Sequence, residues 1–430
     1  MKVLVVGGGG REAALAWAFH RSPLLRELSC APGNAGIARH ARCVAIPAED
    51  VGALVRHAVD EAYDLVVVGP EAPLVAGLAD RLREAGIDVF GPSAAAAVVE
   101  GSKAFSKEFM ARHRIPTAAF RIFRDPSEAS LYLRSPDTTY PLVVKADGLA
   151  AGKGVVIAAD AATAVGAATE MLSGRAFGAA GTTVVVEEML QGRETSFFVL
   201  TDGTTTLELA PCQDYKRAED GDRGPNTGGM GTYSPSAWLD DATRKTLRDT
   251  VVAPTVRGLA QEGRPFRGVL FIGVMLTPTG PKVLEYNARF GDPETQVLIP
   301  RLDGDWLHVL GACARGELHE VDLRWHAAAA VCVVMSSGGY PGAYEKGLPI
   351  EGLNDADRLD DVMVFHAGTA LDAAGRVVSA GGRVLGVTAT GSDLAAARER
   401  AYKAVGRLRF RGEHHRSDIA ADAIAKAGGV

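Results

Sequence analysis

"LVVKADGLAAGKGVVIA", from Leu142 to Ala158, sets two apolar strand-like runs around a stretch of small residues that carries Lys145 and Lys153. A β-hairpin needs only a few turn residues, whereas the connection from Asp147 to Gly154 is much longer and almost all of its residues are small. Glycine tolerates positive φ and lets a backbone approach a ligand closely. Backbone N–H groups and lysine ammonium groups suit polyphosphate. The segment therefore reads as a loop that closes over a phosphorylated ligand. The same residues also describe a solvated hairpin with incidental lysines. A P-loop is excluded, because no Ser or Thr follows Lys153.

Upstream, residues 1–92 alternate strand and helix. "KVLVV", "DLVVVGP" and "IDVFGPS" read as strands, and "REAALAWAFHRS" and "LVAGLADRLREAG" as helices. That alternation predicts a doubly wound parallel sheet. A helical stretch from about Ser93 to Arg114 ends before Pro116. Downstream, "TTVVVEEML", "ETSFFVLT", "TTLELAP", "GVLFIGVMLT" and "PKVLEYNARF" read as strands, with helices over 160–172 and near 241–262. Residues 326–430 read as a small separate α/β unit.

The chain has 430 residues, 47% hydrophobic and 23% charged, with a formal net charge of -6. This fits a multidomain globular protein and gives no support to a general nucleic-acid binder. No apolar run approaches a membrane span, and "MKVLVVGGGG" runs straight into a glycine turn, unlike a signal peptide. The five cysteines are scattered without a CxxC pair, as in a reduced, cytoplasmic protein.

Four further motifs bear on chemistry. In "LEYNARFGDPET", Glu285 and Asn287 share one face of a strand. Their oxygens suit magnesium bridged to phosphates; an exposed polar strand face reads the same way. Arg289 continues that face if the strand does, as a cation for a transferring phosphoryl group, while Leu284 and Tyr286 point to the core. "VVEEMLQGRE" ends a strand in paired acids, a place where backbone can read adenine and a carboxylate ribose; a charged strand end is the alternative. "GGGGRE" opens a helix whose N-terminus suits an anion; a tight turn that needs glycine for packing is the alternative. It fits a dinucleotide fingerprint at Gly8, Gly10 and Ala13, but the acid expected about 20 residues on is missing from "LSCAPGNAG". "GPEAPL" puts Glu71 in a loop at the carboxyl end of a sheet strand, where sugar hydroxyls could donate to it. No nucleophile elbow or histidine metal constellation is present.

In order along the chain, "VVGGGGREAAL", "APGNAG", "VVGPEAPLVAGLAD", "EGSKAFSKEFM", "VKADGLAAGKGVVIA", "EEMLQGRETSFF", "PCQDYKR", "PNTGGMGTYSP" and "LEYNARFGDPETQ" resemble the glycinamide ribonucleotide synthetases of the ATP-grasp group. The resemblance implies an α/β and α+β multidomain fold. Its parts would be an N-terminal doubly wound parallel sheet (1–102), an ATP-grasp core of two α+β units (103–120 with 190–325, and 121–189) and a small C-terminal α/β domain (326–430). It implies an ATP-dependent ligase that joins glycine to 5-phosphoribosylamine through glycyl phosphate. Mg2+, with Mn2+ as the alternative, would sit on Glu285 and Asn287. Lys103, Lys145, Gly148, Gly152, Lys153 and Gly154 would serve the ATP phosphates, and Arg289 with Lys145 the transfer itself. Glu187, Glu188 and Leu190 would form the adenine hinge, with Glu194 on the ribose. Gly8, Gly9, Gly10, Arg11, Glu12, Asn34 and Glu71 would take phosphoribosylamine. Asp214, Lys216, Asn226, Thr227, Gly228 and Gly229 would form the acceptor and glycine region. The partners implied are these small molecules, without nucleic acid or membrane, and a transient contact with the preceding enzyme of purine synthesis.

Two departures stand out: Ala13 where the family usually has His, and "HHRSDIA" where it usually has aromatic-Arg-x-Asp-Ile-Gly. Two other classes stay open on the residues alone: a dinucleotide-dependent oxidoreductase, resting on the first glycine loop, and a non-catalytic nucleotide-binding protein.

Overall fold

The structure, a computed structural model, describes residues 1–149, 154–174 and 182–428. Val3 to Val6 and Leu65 to Val68 are almost wholly buried, as continuous apolar runs in a parallel sheet should be. They belong to the strands Lys2–Gly7 and Leu65–Val68, which pair in parallel at the centre of a five-stranded sheet. Glu27–Pro32 and Arg42–Cys43 extend it on one side and Asp88–Phe90 on the other. The order of strands reverses between the two central ones. Ligands bind at such a point in open α/β sheets. The Gly7–Gly10 turn and the Gly69–Pro70 turn both open there.

Two helices expected to be continuous are broken. Gly77, at φ +83, divides "LVAGLADRLREAG" into Glu71–Val75 and Leu78–Glu84. Glu71 accordingly begins a helix and is not a loop residue. Ser102 leaves helical geometry to cap the second half of the Ser93–Arg114 stretch, giving Ala94–Gly101 and Lys103–Arg112.

The two strands that flank the glycine-rich segment form as expected. Leu142–Ala146 and Val155–Ala158 pair antiparallel in a four-stranded sheet with Phe120–Phe123 and Val184–Glu188. Helices Pro126–Leu133 and Ala161–Leu172 cover one face, on a core that includes Val144, Ala146, Val184 and Val186. Strand alternation sends Lys145 and Glu187 to the other face. Opposite stands the antiparallel sheet of Thr206–Glu208, Arg193–Thr201, Gly268–Thr277 and Gly280–Asn287. The last of these carries a bulge, since Gly273 faces Glu285 while Val274 faces Val283. Leu284 is the extra residue. It is half-buried and turned to the cleft, so the expectation of a core Leu284 fails while Tyr286 is core.

The C-terminal sheet takes Gln213–Asp214 and Gly231–Ser234 alongside Ala329–Ser336, Arg383–Gly391 and Val362–His366. Residues around Asp214 are thus built into the same sheet as residues more than a hundred positions later. Among the described residues, no helix is long and apolar enough to cross a membrane.

Candidate active site

The N-terminal sheet, the two facing sheets and the C-terminal sheet enclose a cleft of about 630 Å³. A smaller cavity beside Trp17, Arg21 and Trp306 lies away from every residue singled out above.

At one end of the cleft lysines gather. Glu187 is buried between Lys107, at 2.9 Å, and Lys145, at 3.0 Å. Burial lowers Lys107 to about 8 although Glu187 supports its charge. Lys107 also donates to Thr117 Oγ1, which donates in turn to the Val283 carbonyl. Glu187 lines the cleft while Lys145 sits back on it, so Lys145 must swing out to meet a phosphate. Lys103 donates to the Gly148 carbonyl at 2.8 Å. Burial lowers its pKa, against the pull of Glu285. The root of the glycine loop is pinned: Asp147 accepts from Ser102 Oγ and Ala104 N, and Ala146 N bonds the Gly154 carbonyl. Gly148, at φ +77, takes a conformation that favours glycine. Gly152 and Lys153 lie outside the described residues.

Glu285 is exposed to this end of the cleft. Burial opposes its charge, but Lys216, Lys145, Lys103 and Arg289 outweigh that and hold it below the usual carboxylate range. Its carboxylate has no hydrogen bond or ion pair among the described residues, and Asn287 Nδ2 is buried without a partner. No cluster of three or more His, Cys, Asp or Glu could hold an ion alone among the described residues. A free carboxylate beside an amide oxygen fits magnesium that completes its shell with phosphate oxygens and water.

At the other end arginines are clamped by acids. Arg289 lies beyond the end of the strand at Asn287, yet it stays on the expected side by hydrogen-bonding Asn287 Oδ1. It also pairs with Glu71 at 3.3 Å and Glu100 at 3.2 Å, so it is not an unclaimed cation. Burial, with the Glu71 charge, pushes Glu100 up to about 7 in spite of Arg289. Glu71 itself is held below the usual range: burial opposes its charge, and Arg289 and Arg11 overcome that.

The first glycine turn differs from an open anion cup. Glu12 is buried under it and accepts from Gly9 N at 2.6 Å, while Asp292 accepts from Arg11 N at 3.3 Å. A Cβ on Gly69 would fall 2.0 Å from Glu12 Oε1, which is why that turn too is glycine. The helix end therefore already holds two carboxylates. Arg11, which lines the cleft, bonds Glu12 and the Phe290 carbonyl. Asn34 is committed inside the protein. Its amide donates to the Gly8 and His366 carbonyls and its oxygen accepts from Gly36 N and Ile37 N, which uses its full capacity. Asn34 acts as a brace. Ala13 is core.

Between the ends, Lys216 pairs with Asp214 at 3.3 Å and Glu194 at 3.4 Å. Burial pushes Asp214 up to about 7, with Glu294 and Glu194 adding to the shift. Burial works against the Lys216 charge, but Glu194, Asp214 and Glu294 hold its pKa above the ordinary range. Asn226, Thr227 and Gly228 line the cleft beside them. Gly229 packs at Asp214, where a Cβ would meet Oδ1 at 2.8 Å. Gly8, Gly9, Gly10 and Leu190 are set back from the lining, and Glu188 is taken up by Ala119 N and Lys282.

Sequence reasoning missed several lining residues. Asp292 and Glu294 lay inside a motif already quoted, and Glu100 and Lys107 inside another. Tyr340 and Arg383 come from the C-terminal unit: Tyr340 accepts from Gly228 N, and Arg383 donates to the carbonyls of Gly228 and Asp292. No local pattern announces either.

Three family models match in order along the chain: the phosphoribosylglycinamide synthetase N domain over residues 1–100, its ATP-grasp (A) domain over 101–295 and its C domain over 330–422. A phosphoribosylamine–glycine ligase of Agrobacterium fabrum is 51% identical over 99% of this chain and 99% of its own. The crystal structure of the Thermotoga maritima phosphoribosylamine–glycine ligase is 33% identical, with a TM-score of 0.85 over 97% of this chain and 100% of that one. The biotin carboxylase domain of Hydrogenobacter thermophilus 2-oxoglutarate carboxylase, solved with MgADP and bicarbonate, shares the fold at 17% identity, with a TM-score of 0.72 over 96% of this chain and 91% of that one. With its N-terminal, ATP-grasp and C-terminal parts all matched and half its residues identical to a full-length relative, this chain belongs to the phosphoribosylglycinamide synthetase family.

Proposed function

We propose that this chain joins glycine to 5-phosphoribosylamine at the expense of ATP, giving glycinamide ribonucleotide, ADP and phosphate in purine synthesis. One observation carries the reading at the site. A single cleft sets a lysine-rich end, with Glu285 unpaired, against an arginine–carboxylate end at the switch point of the N-terminal sheet. Two phosphorylated substrates then approach from opposite ends, with Asp214 and Lys216 between them.

A carboxylate resists attack by an amine because oxide is a poor leaving group. An oxygen of glycine therefore attacks the γ-phosphorus of ATP and ADP departs. The amine nitrogen then attacks the acyl carbon of glycyl phosphate, phosphate leaves and the nitrogen gives up a proton. The chain positions and neutralises, with no protein nucleophile. Lys103 and Lys145 take phosphate charge, Lys145 by leaving Glu187. The small-residue loop, rooted by Asp147, excludes water. Glu187 to Leu190 border the adenine, and Glu194 accepts from the ribose. Glu285 and Asn287 would hold magnesium, or manganese in its place. The bound ion supplies charge neutralisation on the phosphates. Arg11, Glu71 and the braced glycine turn receive the amino sugar, and Lys216 with the Asn226–Gly229 turn receives the glycine carboxylate. We place the reaction in the cytoplasm, where the preceding enzyme could hand over the labile amine.

The test is ADP release from the purified chain with each substrate omitted in turn. The expected result is release only with ATP, glycine and phosphoribosylamine together, one ADP per product. Release that ignores both acceptors, or none with all three, overturns the reading.

A further inference from the structure

Arg289 has five N–H donors, and nearly all are spoken for. Nε donates to Glu71 Oε2 and Nη1 to the Phe290 carbonyl. Nη2 donates to Asn287 Oδ1 and sits 3.2 Å from Glu100 Oε1. One Nη1 hydrogen is left over, so a two-point grip on a phosphoryl group in flight requires the guanidinium to give up a partner. The partners differ in how firmly they are held. The Glu100 side chain is 8% exposed and accepts from Ala288 N at 2.6 Å. The Phe290 carbonyl and Asn287 belong to the same chain segment as Arg289. Glu71 is the outlier: its side chain is 32% exposed, it makes the longest of these contacts at 3.3 Å, and it stands beside the first glycine turn.

From this arrangement, and resting on the function proposed above, we infer that Glu71 is a positioning residue that withholds Arg289 from phosphoryl transfer until the amino sugar arrives. Sugar hydroxyls donating to the Glu71 carboxylate draw it away, and Arg289 becomes available on the ATP side. Glycyl phosphate then forms only when an amine is in place to consume it. A chain without the latch forms it early. Water, in place of the amine, attacks the acyl carbon, phosphate leaves and glycine is regenerated. The net reaction is ATP plus water to ADP plus phosphate.

The experiment uses the full chain with ATP, magnesium and glycine, with and without phosphoribosylamine, and measures ADP and glycinamide ribonucleotide together. In the unaltered chain ADP should need the amine, at a ratio of one to product. In Glu71→Gln, acceptor-free but glycine-dependent ADP release should rise at least tenfold, and the ratio should exceed one when the amine is supplied. Glu71→Asp keeps the charge but is a methylene too short to hold the contact. It should leak in the same way and serves if Glu71→Gln does not fold. The inference is overturned if a folded variant keeps a ratio of one without acceptor-free release. It is equally overturned if ADP formation is lost with and without the amine, because Glu71 would then be promoting the chemistry and not restraining it. An unaltered chain with no acceptor-dependent turnover overturns the parent reading instead.

Discussion

The two ends of the cleft manage charge in opposite ways. One gathers Lys103, Lys107 and Lys145 around Glu187 and Glu285. The other locks Arg11 and Arg289 among Glu12, Glu71, Glu100 and Asp292. Lysine is a point charge on a flexible stem, and arginine a planar fork that bonds in fixed geometry. The lysine end can therefore rearrange, since Glu187 keeps Lys107 as a partner if Lys145 leaves it. The arginine end is prebuilt, and Glu71 is the most exposed of its carboxylates. The difference lies in the kind of cation each end uses, and in whether a carboxylate is left unpaired.

The largest expected effect tests the lysine end. Glu285→Gln keeps shape and removes a cleft carboxylate that no lysine contacts directly among the described residues. Turnover should fall about a thousandfold, the scale of losing a principal electrostatic group, with partial rescue by excess magnesium. Near-normal turnover would take Glu285 out of the metal site and blur the contrast between the ends.

The arginine end should respond to Gly9→Val. A Cβ there would stand 2.9 Å from Glu12 Oε2 and 3.4 Å from Asp292 Oδ2, pushing apart the acids that fix the turn. The apparent requirement for phosphoribosylamine should rise by roughly ten- to a hundredfold, about 1.4–2.7 kcal/mol. That for ATP should hardly move. A selective loss of ATP affinity, measured by titration calorimetry, would exchange the two ends.

Lys107→Met probes how freely the lysine end rearranges. Without Lys107, Glu187 keeps Lys145 as its one ion-pair partner among the described residues and holds it harder against the swing toward phosphate. The KM for ATP should rise about tenfold, worth roughly 1.4 kcal/mol, with kcat less affected and Lys107→Arg restoring part of the loss. An unchanged KM would make the pair a structural filler.

How much of this was legible beforehand follows from the range of the interactions. The parallel sheet was readable because "KVLVV" and "DLVVV" are buried on both faces and so run apolar without alternation. The pairing of the strands on either side of the glycine-rich segment was readable because both apolar runs sit in one short stretch. Glu285 and Asn287 share a cleft wall because period two is a local property. The breaks at Gly77 and Ser102 were missed because helical periodicity continues through both, and only the backbone shows the left-handed glycine and the cap. Leu284 escaped because a bulge depends on the register with a partner strand. Arg383 and Tyr340 escaped because their partners, Gly228 and Asp292, lie 155 and 91 residues from Arg383 and 112 from Tyr340 in the first case. Asn34 was read as a ligand residue; only its four hydrogen bonds show that it braces the turn to the C-terminal sheet.

The smallest expected effect lies under the middle of the cleft, where Asp214 and Lys216 separate the two ends. Tyr215 between them is held from behind: its hydroxyl accepts from Ala420 N and donates to Asp422, and Arg416 lies over its ring at 4.8 Å. Ala420 takes φ +65 where the resemblance led one to expect glycine, and it is fully buried. Three terms decide what Ala420→Gly does. Relief of left-handed strain gains roughly 1–2 kcal/mol. Loss of a buried methyl costs about 0.8 kcal/mol. The added freedom of glycine in the unfolded chain costs a further 0.5–1 kcal/mol or so. The sum is near zero, so urea denaturation should show a change of less than about 0.5 kcal/mol, with KM for all three substrates unaltered. Ala420→Val adds bulk and β-branching in the same left-handed, fully packed position and should cost about 2–3 kcal/mol. A gain well above 1 kcal/mol for glycine would mean that alanine strains the segment under Asp214 and Lys216, and that the middle of the cleft, like its arginine end, is held in place by force from behind.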